Sequence, residues 1–507
     1  MKSSWTARGV VALLFLVTIG DNVSAQRAPL RELDAYIENN LATWEVPGLA
    51  ISIVKDDSII FSKGYGVRRL GSSDMVDERT VFAIGSNSKT FTSAGIAMLI
   101  DDGLAKWDDK VTDHLPTFQT SDSYVTRELT IRDLLTHRSG LSRDDNSWLG
   151  QTTSRHELVR RVRFLGKQES FRSEFGYHNF MFLTAGAVIE EISGHTWDEF
   201  VKQRMLVPLG MEMSNSSISD LRYLDNVASP HASIDGRIVP VEWRNIDNMA
   251  AAGSINSNVV DMAQWVRLML ASGKYGEKQL ISAGAVKEMH TPQMVIRREG
   301  FWGMMSPASH LMAYGLGWFL LDYRDRMVVL HGGNIDGMSA LMLLVPEENL
   351  GTVILTNMNQ SIAHIGFAYR LIDLMLGDAT RDWSSEFLAI FRTGDEQNAQ
   401  RLEQLEESRV RGTSPSLALD AYAGTYVDPD SLYGTAEVSY QDGHLVMRNG
   451  QAFIGDLEHW HYNTFRATFR DRIRGGDMVR FTLDAEGKVA EMNVTGLTDF
   501  VRVPEGG

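Results

Sequence analysis

Phe82-Ala-Ile-Gly-Ser86-Asn-Ser-Lys89-Thr-Phe-Thr-Ser-Ala-Gly-Ile-Ala-Met-Leu-Ile-Asp-Asp-Gly103 is the stretch around which the rest of the chain can be ordered. Apolar residues recur at Phe91, Ala94, Ala97, Met98 and Leu99. No proline interrupts them and Asp102-Gly103 supplies a stop, so the stretch reads as a helix. Ser86 stands at its start and Lys89 one turn on, which puts a hydroxyl and an amine on one face. The positive end of the helix dipole faces the serine. A lysine buried there can lose its proton near neutral pH and then accept the serine proton. Ser52-Ile-Val-Lys55 has the same spacing, but it lies in Ala50-Ile-Ser-Ile-Val, which reads as a strand. Residues three apart on a strand point to opposite faces, so only the Ser86 copy can bring its two groups together.

N-terminal to this stretch, Leu30–Trp44 has a helical pattern broken by Pro47-Gly48. Leu49–Lys55 and Ser58–Tyr65, joined by Asp56-Asp57, read as a β-hairpin. C-terminal to it, helices are expected from Ile131, over Phe180–Ser193, over Val259–Leu270 and over Ala363–Leu376. Strands are expected at Gly315–Leu321, Met327–Leu330, Ser339–Val345 and Gly351–Thr356. Strands at both ends with helices between them imply an α+β fold, one antiparallel sheet flanked by helices. Gly394–Arg411 is charged with no apolar stripe, a linker or a solvated helix. From Leu417 onward short strands and turns alternate, which implies a small all-β barrel domain.

The chain has 507 residues, no cysteine, a net charge of −16 and a 43% apolar share. Disulfides, cysteine metal sites and cysteine nucleophiles are excluded, and the acidic balance argues against nucleic acid and anionic membranes. Lys2 and Arg8 precede the apolar run from Gly9 to Ile19, and Val23-Ser24-Ala25 ends it with small residues. That pattern is a signal peptide over 1–25, so a secreted or periplasmic protein is expected. The missing cysteine excludes a lipoprotein anchor, and no later segment is apolar enough to span a membrane.

Two further stretches carry chemistry. In Phe175-Gly-Tyr177-His178-Asn179 a tyrosine can relay a proton and an asparagine two residues on can bond both a lysine and a substrate amide. In Leu330-His331-Gly332-Gly333-Asn334, paired glycines after a β-branched run let another backbone approach, and a backbone N–H there can help hold an oxyanion. His459-Trp-His461 has strand spacing for two imidazoles on one face, but no third ligand is evident and no metal or cofactor is expected.

The three stretches in this order resemble the serine β-lactamase and penicillin-binding-protein superfamily, in particular class C β-lactamase-like hydrolases of the esterase and D-aminopeptidase type. Val46-Pro-Gly-Leu-Ala-Ile-Ser-Ile-Val-Lys55, Leu134-Leu-Thr-His-Arg-Ser-Gly-Leu141, Pro208-Leu-Gly-Met211 and Ala252-Gly-Ser-Ile-Asn-Ser257 extend the likeness. The part after about Leu417 is similar to the lipocalin-like domain of some such peptidases. The resemblance implies a hydrolase domain over 26–385, a charged linker over 386–414 and a lipocalin-like barrel over 415–507. It implies acyl transfer through an acyl-enzyme on Ser86, acting on a small-molecule or peptide substrate through an amide or ester bond. Lys89 would be the base partner, Tyr177 the second proton carrier and Asn179 the residue that orients both Lys89 and substrate. His331 and Gly333 would line the substrate strand, with the N–H groups of Ser86 and Asn334 as oxyanion donors. Which of Lys89 and Tyr177 takes the first proton is open in the sequence.

His331 replaces the lysine of class C β-lactamases, and Gly332 their threonine. With an ordinary histidine pKa of about 6.5 the residue is mostly neutral at pH 7. Poor hydrolysis of β-lactams is therefore expected, and better hydrolysis of anionic substrates as the pH falls toward 6. The alternatives are a catalytically inactive penicillin-binding or scaffolding protein and a genuine β-lactamase. The C-terminal domain has two roles open to it, capping the active site or driving assembly into a homo-oligomer.

Overall fold

The computed structural model describes residues 28–504, so the expected signal peptide lies outside the described residues. The frame is an antiparallel eight-stranded sheet. Its strands lie in the order Ser58–Gly66, Gly48–Lys55, Leu350–Thr356, Met338–Val345, Arg326–Ile335, Phe319–Tyr323, Met312–Tyr314 and Met294–Val295. The hairpin turns at Asp56 and Asp57, both at positive φ. Its first strand is buried along nearly its whole length because its other edge pairs with Leu350–Thr356 from the far end of the same unit. That pairing explains the near-continuous apolar run in Gly48–Lys55.

Three expectations needed correcting. The helix begins at Ser88 and ends at Asp101, while Ser86 sits in a single 3-10 turn, Gly85–Asn87, that precedes it. Gly85 has a φ of +54°, a left-handed conformation that a regular helix cannot contain. Phe82–Ala83 is a short strand paired with Asn256–Ser257. Within Gly315–Leu321 only Phe319–Leu321 are strand; Gly315–Trp318 form a turn between Met312–Tyr314 and Phe319–Tyr323. At its centre Gly317 has a φ of +82°, and a Cβ there would lie 2.3 Å from Ser93 Oγ. The turn lets the helix Ser88–Asp101 come flush against it. Finally, His331-Gly-Gly-Asn334 does not follow a strand; it lies inside Arg326–Ile335.

Ser88–Asp101 is buried at every position from Ser88 to Leu99, polar residues included: Ser88, Thr90 and Thr92 donate their hydroxyls to the Gly85, Asn87 and Ala251 carbonyls. It crosses the helix Asn179–Ser193 at Gly95, where a Cβ would sit 2.9 Å from Ile189 Cδ1. Phe91 stacks on Trp265 of the helix Val259–Leu270 with centroids 3.9 Å apart. These contacts set the serine, the lysine and the start of Asn179–Ser193 at fixed distances.

The charged stretch belongs to a 25-residue helix, Trp383–Glu407. Its start is anchored: Trp383 is buried, stacks on Tyr369 at 4.6 Å and donates from Nε1 to Asp373 Oδ2 at 2.7 Å. Beyond it eight antiparallel strands, from Gly424–Val427 to Asp499–Arg502, close into a barrel. The last strand, which the sequence pattern did not bring out, closes it by pairing with the first. His459 and His461 straddle a register shift. Both imidazoles are spent on backbone: His461 Nδ1 accepts from Val410 N–H at 3.2 Å and His459 Nε2 lies 3.0 Å from Tyr462 O.

Candidate active site

Lys89 organises the centre. Its side chain is fully buried, and Nζ lies 2.9 Å from Ser86 Oγ, 2.7 Å from Asn179 Oδ1 and 2.7 Å from the Ala252 carbonyl. Burial pushes its pKa well below the usual lysine range, against the pull of the Asp145 carboxylate. A neutral amine has two N–H groups and one lone pair. The Asn179 and Ala252 oxygens can only accept, so they take both N–H groups and the lone pair is left for the Ser86 hydroxyl. Ser52, by contrast, is buried within its strand, and Lys55 pairs outward with Asp56 at 2.9 Å.

Tyr177 stands at the same centre. Lys89 Nζ is 4.9 Å from its ring centroid, and burial raises its phenol pKa, with the Ser86 hydroxyl acting in the opposite direction. The ring is held by His137 at a centroid distance of 4.2 Å. His137 has a φ of +55° and accepts on Nδ1 from the His178 N–H at 2.9 Å. Its contribution is thus to fix the approach to Tyr177 and Asn179.

The third wall is the strand Arg326–Ile335. Arg326–Leu330 pair with Phe319–Tyr323 on one edge and Val329–Ile335 pair with Met338–Leu344 on the other, so from His331 onward the first edge is left open beside the serine turn. A Cβ at Gly333 would lie 1.9 Å from Ile84 O and 3.0 Å from the Ser86 nitrogen, and one at Gly85 would lie 2.8 Å from the Asn334 nitrogen. The two glycines therefore permit a backbone-to-backbone approach that brings the Asn334 amide next to Ser86. The Asn334 side chain is spent elsewhere, its Oδ1 accepting from Ser339 Oγ at 3.0 Å and from Gln360 N–H at 2.9 Å.

His331 differs from expectation. It is 1% exposed, its Nδ1 lies 2.6 Å from Gly332 O and its Nε2 lies 3.0 Å from the Tyr314 hydroxyl. The first contact requires a donor, so Nδ1 carries the proton and Nε2 accepts from Tyr314. Burial, reinforced by Lys89, pushes its pKa down to about 3. The imidazole stays neutral throughout the working range, and the expected gain toward pH 6 has no group to produce it.

Sequence reasoning missed Asp145, Ala252, Gly85 and Tyr314. Asp145 sits in the run Arg143-Asp-Asp-Asn146, whose composition is that of an ordinary surface turn. Its carboxylate accepts from Asn179 Nδ2 at 2.9 Å and from Trp148 Nε1 at 3.0 Å. The barrel reaches the same rim. Tyr433 donates to Asp144 Oδ1 at 3.2 Å, Asn146 Nδ2 donates to Gly496 O at 2.9 Å, and Arg474 pairs with Asp336. A cavity of about 180 Å³ lies between the two units, with Asn146 and Gln360 on the sheet side and Arg474 and Asp477 on the barrel side.

A family model described as Beta-lactamase matches residues 33–375. The chain belongs to the β-lactamase family. The likeness read from Ser86-x-x-Lys89, Tyr177-x-Asn179 and His331-x-Gly333 is thereby borne out at the level of family and fold. A second model, Domain of unknown function (DUF3471), matches residues 408–502, the part that forms the barrel. Unguisins hydrolase ungD' of Aspergillus campestris is 27% identical over 429 residues, 78% of this chain and 75% of that protein. Protein flp of Staphylococcus aureus (strain COL) is 26% identical over 335 residues, 65% of this chain and 63% of its own length. The octameric penicillin-binding protein homologue from Pyrococcus abyssi has the same fold, with a TM-score of 0.62 and 22% identity, over 93% of this chain and 100% of that one. Among the described residues of this β-lactamase-family chain, no helix is long and apolar enough to cross a membrane.

Proposed function

We propose that this chain is a secreted serine hydrolase that cleaves peptide, amide or ester bonds through an acyl-enzyme on Ser86. One observation carries the reading: a buried lysine amine with two fixed acceptors and its third direction 2.9 Å from the Ser86 hydroxyl. Lys89 takes the Ser86 proton, because burial favours its neutral form, while Tyr177, whose pKa is raised, stays protonated during the attack, then gives its proton to the leaving group and is reprotonated by Lys89. Ser86 Oγ attacks the carbonyl, and the N–H groups of Ser86 and Asn334 receive the oxyanion. Water then releases the acyl group. His331 and Gly333 serve the substrate strand, His331 as a neutral buried support. In this reading 26–385 form the hydrolase domain and 415–507 a barrel domain that borders the cleft, and the N-terminal 1–25 direct export.

A genuine β-lactamase is the second reading, and the neutral His331 weighs against it, since no cation stands there to receive a carboxylate. A catalytically inactive penicillin-binding or scaffolding protein is disfavoured by the intact Ser86, Lys89 and Asn179 geometry. The test is a fluorophosphonate label on the purified protein, run beside D-amino-acid amides, short esters and a chromogenic cephalosporin. Labelling with turnover of esters or amides supports the reading. No label and no turnover refutes it, and preferential turnover of the cephalosporin would move the chain to the second reading.

A further inference from the structure

Asn179 is held at both ends. Its Oδ1 lies 2.7 Å from Lys89 Nζ, and its Nδ2 donates to Asp145 Oδ1 at 2.9 Å. Asp145 opens a single turn, Asp145–Ser147, and the preceding Asp144 has a φ of +39°. Its carboxylate is fixed by two other donors, Trp148 Nε1 at 3.0 Å on Oδ1 and Arg143 Nε at 2.5 Å on Oδ2. The barrel holds the same turn from outside, through Tyr433 on Asp144 and Gly496 on Asn146.

These bonds give the amide of Asn179 a polarity. Reversed, it would set its NH₂ against the N–H groups of Lys89 and its oxygen against a carboxylate. Both contacts are repulsive, and neither makes a hydrogen bond. We propose that Asp145 is a positioning residue of the reaction: it fixes the amide of Asn179 so that Oδ1 accepts from Lys89, which leaves the lysine lone pair to Ser86. The inference rests on the serine-hydrolase reading above. It goes further in naming a carboxylate outside the three motifs, on a turn that the barrel braces.

The charged and titratable groups around Asp145 are Arg143 and Asp144 beside it, Lys89 on the helix Ser88–Asp101, Tyr177 and His178 before Asn179–Ser193, and Tyr433 from the barrel. Asp145 favours the protonated form of Lys89. Asp145→Asn keeps an oxygen for Asn179 Nδ2 but removes the charge. Lys89 then loses its proton at lower pH, so the acid limb of kcat/KM should move to lower pH, with the plateau within a few-fold of the unaltered protein. Asp145→Ala removes the oxygen as well and should lower kcat for a short ester about 10- to 100-fold, the scale seen when a partner that orients a reacting group is lost.

The test is the kcat/KM–pH profile of the full chain and both variants, with fluorophosphonate labelling of Ser86 in each. A shifted limb in Asp145→Asn with a collapsed kcat in Asp145→Ala supports the inference. An unmoved limb in Asp145→Asn, or an unchanged kcat in Asp145→Ala, overturns it while labelled Ser86 leaves the hydrolase reading standing. An unaltered protein that is never labelled at Ser86 removes both.

Discussion

At the scale of single residues, burial decides more than residue type. Lys89 and His331 are both basic side chains in the same cleft, and both are driven toward their neutral forms. For Lys89 that creates a base. For His331 it removes a cation, and the consequence for pH has a definite sign. Falling pH returns a proton to Lys89 and leaves His331 neutral, so activity should fall as the pH is lowered, for anionic and uncharged substrates alike. An ester pair differing only by a carboxylate measures this. A selective rise for the anionic member toward pH 6 would mean that His331 titrates near its ordinary value and meets the substrate. The residue types Ser86, Lys89, Tyr177 and Asn179 were legible because their spacing within short stretches carries the chemistry. Asp145 was not, because its significance lies in a bond to Asn179, 34 residues away. The neutrality of His331 was hidden for a similar reason: a partner such as Tyr314 and a buried setting belong to the packed sheet, and local sequence does not encode them.

At the scale of elements, the site depends on how closely a strand passes the serine turn. The sequence pattern recovered the hairpin, the helix Val259–Leu270 and the stop of Asn179–Ser193 at Gly194, all of which follow local periodicity and caps. It missed the break at Gly317 and the 3-10 turn at Ser86, since both are imposed by contacts with distant backbone. The same reasoning yields an expectation for Gly333→Ala. A methyl group 1.9 Å from Ile84 O must push the strand off the turn and carry the Asn334 N–H with it. Removing one oxyanion donor typically costs about 10²–10³ in kcat. Gly333→Ala should lose activity on that scale while keeping a cooperative melt, because the strand's pairing with Met338–Val345 is untouched. Activity within a few-fold of the unaltered protein would show that the close approach is not needed for the reaction.

At the scale of the whole molecule, ion pairs join the barrel to the sheet unit. Arg244 bonds Asp336 at 2.7 Å within the sheet unit and also pairs with Asp471 of the barrel, while Arg474 pairs with Asp336. Taking the barrel away leaves Asp336 still paired with Arg244, so no buried charge is orphaned. A chain ending after Arg411 should therefore fold, with its helix Trp383–Glu407 still anchored by Trp383. It should turn over slowly, because the turn that carries Asp145 loses Tyr433 and Gly496, and it should accept bulkier substrates, because the cavity loses one wall. Circular dichroism, thermal melting and a series of esters of increasing size check this. An unfolded or insoluble fragment would mean that the two units share one core.

The most direct test of the central claim maps the labelled residue. The purified chain, Ser86→Ala and Ser52→Ala are treated with a fluorophosphonate, digested and read by mass spectrometry. The adduct is expected on the peptide containing Ser86 in the unaltered chain and in Ser52→Ala, with hydrolysis intact in both and neither adduct nor hydrolysis in Ser86→Ala. An adduct at another serine that persists in Ser86→Ala together with hydrolysis would contradict the assignment of Ser86 as nucleophile.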